Sequence, residues 1–145
     1  MLITKENIEL LKKEIEAVES KTSGEVRIII RKKKPFFQKM KPIKEIAESE
    51  FINLKMQDTK RRNGVLLYIC EHERQFQIVA DIGVNSIVQV TYWNELAVSV
   101  SKYFQHEEYF SGLKYLVDEV GNLLAKYFPN EENNQNELSN DIIIQ

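Results

Sequence analysis

The sequence predicts a three-layer α/β/α sandwich around a small mixed β-sheet, in the order α-β-α-β-β-α-α. Three observations predict it. Apolar residues recur at spacings of three and four along Ile8–Val18, Ile43–Leu54, Trp93–Tyr103 and Leu113–Leu124, the period of half-buried helices. The β-branched run "EVRIIIR" reads as a strand, and "GVLLYIC", apolar at nearly every position, has the composition of a central strand covered on both faces. A polar turn, "EHER", then leads into an alternating run from Gln75 to Ala80, which makes the last strand hairpin-linked and antiparallel.

Each element has its own start and stop. Thr4 can cap the first helix, with Ile3 and Ile8 placed as a hydrophobic staple, and Ile8, Leu11, Ile15 and Val18 form one apolar face to about Ser20. Ser23-Gly24 breaks that period before the first strand. "KKKPFFQKMKP" has no periodicity and two prolines, so it is a loop, and Pro42 suits a first helical position. The following helix carries Ile43, Ala47, Phe51 and Leu54 inward. The strand–helix–strand unit from Val26 to Cys70 is then a right-handed parallel crossover. Ser86 with Gln89 has the capping-box spacing for a helix carrying Trp93, Leu96, Val100 and Tyr103. The last helix runs from about Tyr109 to Tyr127, with Leu113, Leu116, Val120 and Leu124 inward. Gly112 and Gly121 each cost about 1 kcal/mol in a helix interior, a cost that close packing of these two helices would offset. Residues 1–129 read as the domain and 130–145 as a polar tail, expected to dock through Ile142, Ile143 and Ile144 as an edge strand or against the core.

A chain of 145 residues with 43% hydrophobic and 29% charged residues fits one globular domain. Its net charge of −2 hides an asymmetry: residues 1–64 hold 16 Lys/Arg against 10 Asp/Glu, and residues 65–145 hold 4 against 12. Such a dipole either neutralises itself in the fold or orients the molecule toward a charged partner. The lone Cys70 excludes an internal disulfide and Cys-rich zinc sites, and its apolar surroundings make it an inert buried thiol. No secretory pattern opens the chain and no apolar run approaches the ~20 residues that span a bilayer, so a cytoplasmic location is expected. Glycine-rich phosphate loops, His-x-x-x-His and Cys-x-x-Cys are absent, and His72 and His106 have no nucleophile at a useful spacing. No catalytic residue is assigned.

Two places can nevertheless carry function. With the hairpin centred between His72 and Glu73, paired residues sum to 145, so Leu66 faces Val79, Gly64 faces Asp81, and Arg62 falls opposite Gly83. Parallel pairing puts Glu25 at this same end of the sheet. Asp81, Glu25 and Asp58 then form a candidate oxygen site for Ca²⁺ or Mg²⁺, and Arg62, Asn63 and Thr59, near a helix start, a candidate anion site. An Arg62–Asp81 salt bridge and ordinary turn chemistry account for the same residues without a ligand. At the other end Arg31, Lys32, Lys33, Lys34, Lys39 and Lys41 surround Phe36 and Phe37 with no acid among them. Basic residues around aromatics suit an anionic membrane surface or single-stranded nucleic acid; a solvated loop is the plain alternative, and Glu71 and Glu73 in the hairpin turn lie close enough to neutralise part of it. A nucleic-acid partner is not expected.

At "SGEVRIII", "FINLKMQDTKRRNGVLLYI", "QFQIVADIGV", "YWNEL", "YFSGLKYLVDEVGNLLAKYFP" and "NELSND" the order of motifs resembles the TPM domain family, above all its short bacterial members without signal or anchor. The resemblance implies an α/β/α sandwich around a mixed sheet. It also implies a place among proteins linked to photosystem II repair and membrane-protein assembly, some credited with divalent-cation binding or acid phosphatase activity and often accompanied by LemA-like proteins. Glu25, Thr59, Arg62, Asn63, Gly64, Asp81 and Gly83 stand at matching positions. Lys55, Ala80 and Gln89 stand where relatives commonly have glycine. The resulting expectation is a non-enzymatic module that binds a protein or membrane complex, LemA-like or another TPM protein, with a divalent-cation site at Asp81. The alternative is a metal-dependent acid phosphatase acting on phosphate monoesters.

Overall fold

A computed structural model describes residues 3–130 and 142–145. The elements run α1 (Lys5–Glu19), β1 (Glu25–Arg31), a 3₁₀ turn (Phe36–Gln38), α2 (Ile43–Asn53), β2 (Gly64–Cys70), β3 (Gln75–Ala80), α3 (Ile82–Asn85), α4 (Val90–Gln105), α5 (Tyr109–Tyr127) and β4 (Ile142–Ile144). The sheet order is β3-β2-β1-β4. Strand β1 lies parallel to β2 and to β4, whereas β3 is antiparallel to β2. The expected α/β/α sandwich with a mixed sheet is present. The terminal isoleucines form its fourth strand, with Ile142 beside Ile28; the polar stretch 131–141, with "NELSND", lies outside the described residues.

Side-chain alternation divides the interior in two. Val26, Ile28, Ile30, Val65, Leu67 and Ile69 face the larger core under α1, α4 and α5. Ile29, Leu66, Tyr68 and Cys70 face a smaller one, closed by Ile46, Ala47 and Phe51 of α2. In α1, Leu11 and Ile15 are fully buried, each worth about 1.5–3 kcal/mol of transfer free energy. That helix begins as its sequence requires: the Asn7 backbone N–H donates to Thr4 Oγ1 at 3.1 Å, the Thr4 N–H donates back to Asn7 Oδ1 at 3.4 Å, and Ile3 and Ile8 enter the core together.

The hairpin has the register that the midpoint of its turn dictates, with Leu66 opposite Val79 and Asp81 N–H donating to Gly64 O at 2.9 Å. Its outer edge is furnished with side-chain amides: Gln77 Nε2 donates to Ile78 O at 3.1 Å and Asn85 Nδ2 to Ala80 O at 2.7 Å. Trp93 Nε1 donates to Asn85 Oδ1 at 3.1 Å and holds that amide in place.

Three local expectations are corrected. Pro42 is the cap residue before α2 rather than its first residue, and its carbonyl accepts from Glu45 and Ile46. Ser86 and Gln89 do not form a capping box. Ser86 is in the right-handed helical conformation, φ −70 and ψ −19, closing α3, and its hydroxyl donates back to Gly83 O at 3.0 Å; an N-cap needs extended backbone. Gly112 does meet α4, where a Cβ would lie 2.8 Å from Phe104, but Gly121 faces α1 instead, where a Cβ would lie 2.5 Å from Val18 Cγ2.

Helix α2 ends in a Schellman motif. Lys55 N–H donates to Ile52 O at 2.9 Å and Met56 N–H to Phe51 O at 3.1 Å, with Lys55 left-handed at φ 57. Buried Met56 and Phe51 share the α2 core, the apolar contact that accompanies such an end. Only glycine takes that φ without strain.

Candidate functional site

The loop after α2 leads back to the sheet through a tight turn. Arg62 N–H donates to Thr59 O at 3.2 Å and Asn63 N–H to Thr59 Oγ1 at 3.3 Å, with Arg62 left-handed at φ 51. This turns the Arg62 side chain toward the end of β3. There Nε donates to Asp81 Oδ2 at 2.7 Å and Nη2 to Oδ1 at 2.8 Å, a two-pronged ion pair, while Ile82 N–H donates to the same Oδ1 at 2.8 Å. Asp81 is 4% exposed and Arg62 42%. The Asp81 hydrogen bond, ahead of its charge, holds the guanidinium above its ordinary pKa. Gly83 packs against the far side of this turn: its N–H donates to Arg62 O at 2.8 Å, and a Cβ there would overlap the Arg61 carbonyl oxygen. The glycine is needed because two backbones touch.

The helix start expected beside this cluster is the four-residue α3, capped by Asp81 itself. Asn63, 1% exposed, ties three segments: its Nδ2 donates to Ser23 Oγ at 3.3 Å and its carbonyl accepts from Glu25 N–H at 3.4 Å. Asp58 is exposed at the rim, and its charge reaches Arg62. Thus Asp58, Thr59, Arg62, Asn63 and Asp81 do meet at one end of the sheet.

Glu25 lies in the same row, opposite Gly64, but its carboxyl is engaged elsewhere. Two strand spacings, roughly 10 Å, separate the Glu25 and Asp81 backbones, and the Met56 carbonyl packs over Gly64 between them, 3.1 Å from where a Cβ would stand. Glu25 is hydrogen-bonded to Glu19, the last residue of α1. Both are buried, at 3% and 7% exposure, with Arg27 at 8% beside them. Burial first, then the hydrogen bond and charge of Glu25, push the Glu19 carboxyl up to about 10, against the opposing pull of Val26 and Arg27. Glu19 is therefore the neutral acid at neutral pH, donating to Glu25. The sequence shows Glu19 only as one more polar residue on α1; nothing in its spacing marks it.

As arranged, a divalent ion at Asp81 has to displace the Arg62 guanidinium from both carboxylate oxygens. Among the described residues no group of three or more His, Cys, Asp or Glu side chains is disposed to hold a metal.

The opposite end of the sheet has a different character. Backbone hydrogen bonds from Glu71 to Arg31 O at 2.8 Å and from His72 to Lys32 O at 2.7 Å hold the foot of the loop after β1. Lys34 Nζ donates to Lys41 O at 3.2 Å and closes its neck. Beyond the neck Phe36, Phe37 and Met40 are 76%, 92% and 96% exposed. The two rings meet edge-on at 5.7 Å, and Lys39 Nζ sits 5.4 Å from the Phe36 centroid. The turn acids point inward: Glu71 accepts from Ile3 N–H at 3.2 Å and Glu73 from Lys34 N–H at 2.9 Å. Among the described residues none of Lys32, Lys33, Lys34, Lys39 and Lys41 makes an ion pair. Arg31 donates to Gln145 Oε1. Met40 joins the apolar tip, a role its place between two lysines does not announce in the sequence.

Two further perturbed groups are interior. Burial raises the Cys70 thiol and the Tyr68 hydroxyl, which lie side by side in the α2 core. Among the described residues no helix is long and apolar enough to cross a membrane.

The TPM domain family matches residues 1–123. The solution structure of the BA42 protein from the psychrophilic bacterium Bizionia argentinensis is similar at a TM-score of 0.87 and 31% identity, covering 99% of this chain and 95% of that one. The N-terminal domain of a P. gingivalis protein has a TM-score of 0.72 at 14% identity, over 90% of this chain and 83% of that one, a likeness of fold alone. No curated protein matches.

Proposed function

This chain belongs to the TPM domain family, and on that premise we propose that it is a non-enzymatic docking module working through the basic loop Arg31–Lys41 toward a membrane-associated partner. One observation carries the reading: lysines that make no ion pair among the described residues surround an apolar tip of Phe36, Phe37 and Met40 that those residues leave exposed. Exposed large apolar side chains grouped in this way mark interaction sites. LemA-like proteins and other TPM proteins are the partners that family resemblance suggests.

At the opposite end Asp81 acts as a latch, joining the Thr59–Asn63 turn to the hairpin through Arg62. A cation site there requires the latch to open. The phosphatase alternative needs Asp81 and Glu25 on an ion and Arg62 on the phosphate, whereas Arg62 is spent on Asp81 and Glu25 on Glu19.

Two measurements test the proposal. Native membranes should retain the purified protein, with retention lost on Lys33→Gln/Lys39→Gln/Lys41→Gln and kept in Asp81→Ala. Calorimetric titration with Ca²⁺ and Mg²⁺, beside phosphate-ester assays, addresses the other end. Turnover that Asp81→Ala abolishes, together with a dispensable loop, would overturn the docking reading.

A further inference from the structure

We propose that the ligand of the Arg31–Lys41 loop is lipid itself: the loop seats on the interface of an anionic phospholipid bilayer, and Phe36, Phe37 and Met40 enter the headgroup–acyl boundary. The inference rests on the docking reading above and names its partner. The tip is convex. A fluid interface needs no groove to receive three side chains exposed to this degree.

The chemistry is layered as a bilayer surface is layered. Phe36, Phe37 and Met40 form the outermost apolar set, each more than three-quarters exposed. Lys32, Lys33, Lys39 and Lys41 are exposed around them, at the level of lipid phosphates when the tip is immersed. From Arg31 to Lys44 the chain has no carboxylate, and the two nearest in the hairpin turn are directed into the protein, onto the N–H groups of Ile3 and Lys34. Single-stranded nucleic acid would need open ring faces for its bases. Here one ring stands edge-on to the other, Lys39 lies over Phe36, and Met40 has no stacking use.

The loop is also built in advance. Its foot is fastened to β1 and the hairpin turn, its neck is closed by Lys34, and Gln38 N–H to Pro35 O at 2.9 Å and Lys41 N–H to Gln38 O at 3.0 Å fold the tip. Little chain entropy remains to be lost on docking.

The test is co-sedimentation of the full chain with protein-free vesicles of phosphatidylcholine, with and without phosphatidylglycerol. Binding should require the anionic lipid and fall with salt. Each lysine changed to Gln should weaken partitioning about fivefold. Phe36→Ala/Phe37→Ala/Met40→Ala, which keeps every charge, should weaken it by at least about tenfold. In Phe37→Trp the added fluorescence should shift to the blue and be quenched by brominated acyl chains. These changes are all at exposed positions, and an unchanged far-ultraviolet spectrum checks the fold. Failure to bind either vesicle, or binding indifferent to the apolar triple, refutes lipid insertion. If native membranes still hold the protein in a loop-dependent way, a protein partner replaces lipid and the docking reading stands. If native membranes hold the loop variants as well as the parent, both readings fall. Loop-dependent capture by single-stranded oligonucleotide, with none by vesicles, would assign the surface to nucleic acid instead.

Discussion

Glu19→Gln should make the protein more stable, by an amount set by pH. The Glu19 carboxyl titrates at 4.5 in an ordinary environment and is pushed up to about 10 in the fold, by burial first and by Glu25 second. Between those values the folded chain binds a proton that the unfolded chain does not. Folding is therefore easiest below 4.5, and the contribution is lost progressively as pH rises toward the folded value. Collecting that proton at about pH 7 costs the gap to 4.5 multiplied by ~1.36 kcal/mol per unit, or about 3 kcal/mol. Glutamine has the size and donor capacity of the neutral acid and nothing to titrate, so the variant side chain can keep the bond to Glu25 without the proton cost. Urea unfolding followed by Trp93 fluorescence, repeated across the pH range, measures the difference directly. Parent and variant should nearly coincide at about pH 4.5 and separate by up to ~1.4 kcal/mol per pH unit above it. Glu25→Gln should end that slope at a lower pH without removing it, because burial of Glu19 remains. Parallel stability curves, or a variant less stable than the parent at neutral pH, would refute a shared proton at this pair.

Further substitutions follow from backbone and core geometry. Lys55→Gly should stabilise by about 1 kcal/mol, since the left-handed residue ending α2 loses its Cβ strain; a loss of stability in thermal unfolding would mean that the lysine side chain matters more than its backbone. Gly83→Ala should cost at least about 1–3 kcal/mol, because the new methyl would press on the Arg61 and Arg62 carbonyls; a neutral result in chemical denaturation would show the 58–63 turn to be yielding. Tyr68→Phe should be neutral or stabilise by up to ~1 kcal/mol, as the fully buried hydroxyl has no partner among the described residues better than the weakly bonding Cys70 thiol; destabilisation beyond ~1 kcal/mol would reveal a stronger bond there.

The sheet was legible because its signals are redundant. Two apolar runs, one polar turn and the pleat period determine both the pairing and the register, so the Gly64–Asp81 row follows from the position of a single turn. That row also brings Arg62 and Asp81 within reach of one another. What it does not convey is which partner each acid takes. Glu25 shares the row with Asp81, yet the α1–β1 turn delivers Glu19 to it, and no local pattern encodes a contact made by the end of a helix. The Ser86–Gln89 spacing misled for a similar reason. The residue types fit a capping box, but Asp81 begins a helical turn of its own five residues earlier and leaves Ser86 in helical backbone. At Lys55 the expected glycine is missing, so the Schellman end of α2 carries no sequence mark.

Strand β3 forms one border of the sheet, and its amide trim has a bearing on how the protein ages in concentrated solution. Fibril growth recruits a bare strand edge one chain at a time, and here an intruder finds the carbonyls of Ile78 and Ala80 already supplied with N–H donors by Gln77 and Asn85. The protection is chemically perishable. Hydrolysis of the Asn85 amide to a carboxylate would exchange a donor for an acceptor facing the Ala80 carbonyl, and like would then repel like. A single slow covalent event would bare the border that two side chains had kept closed.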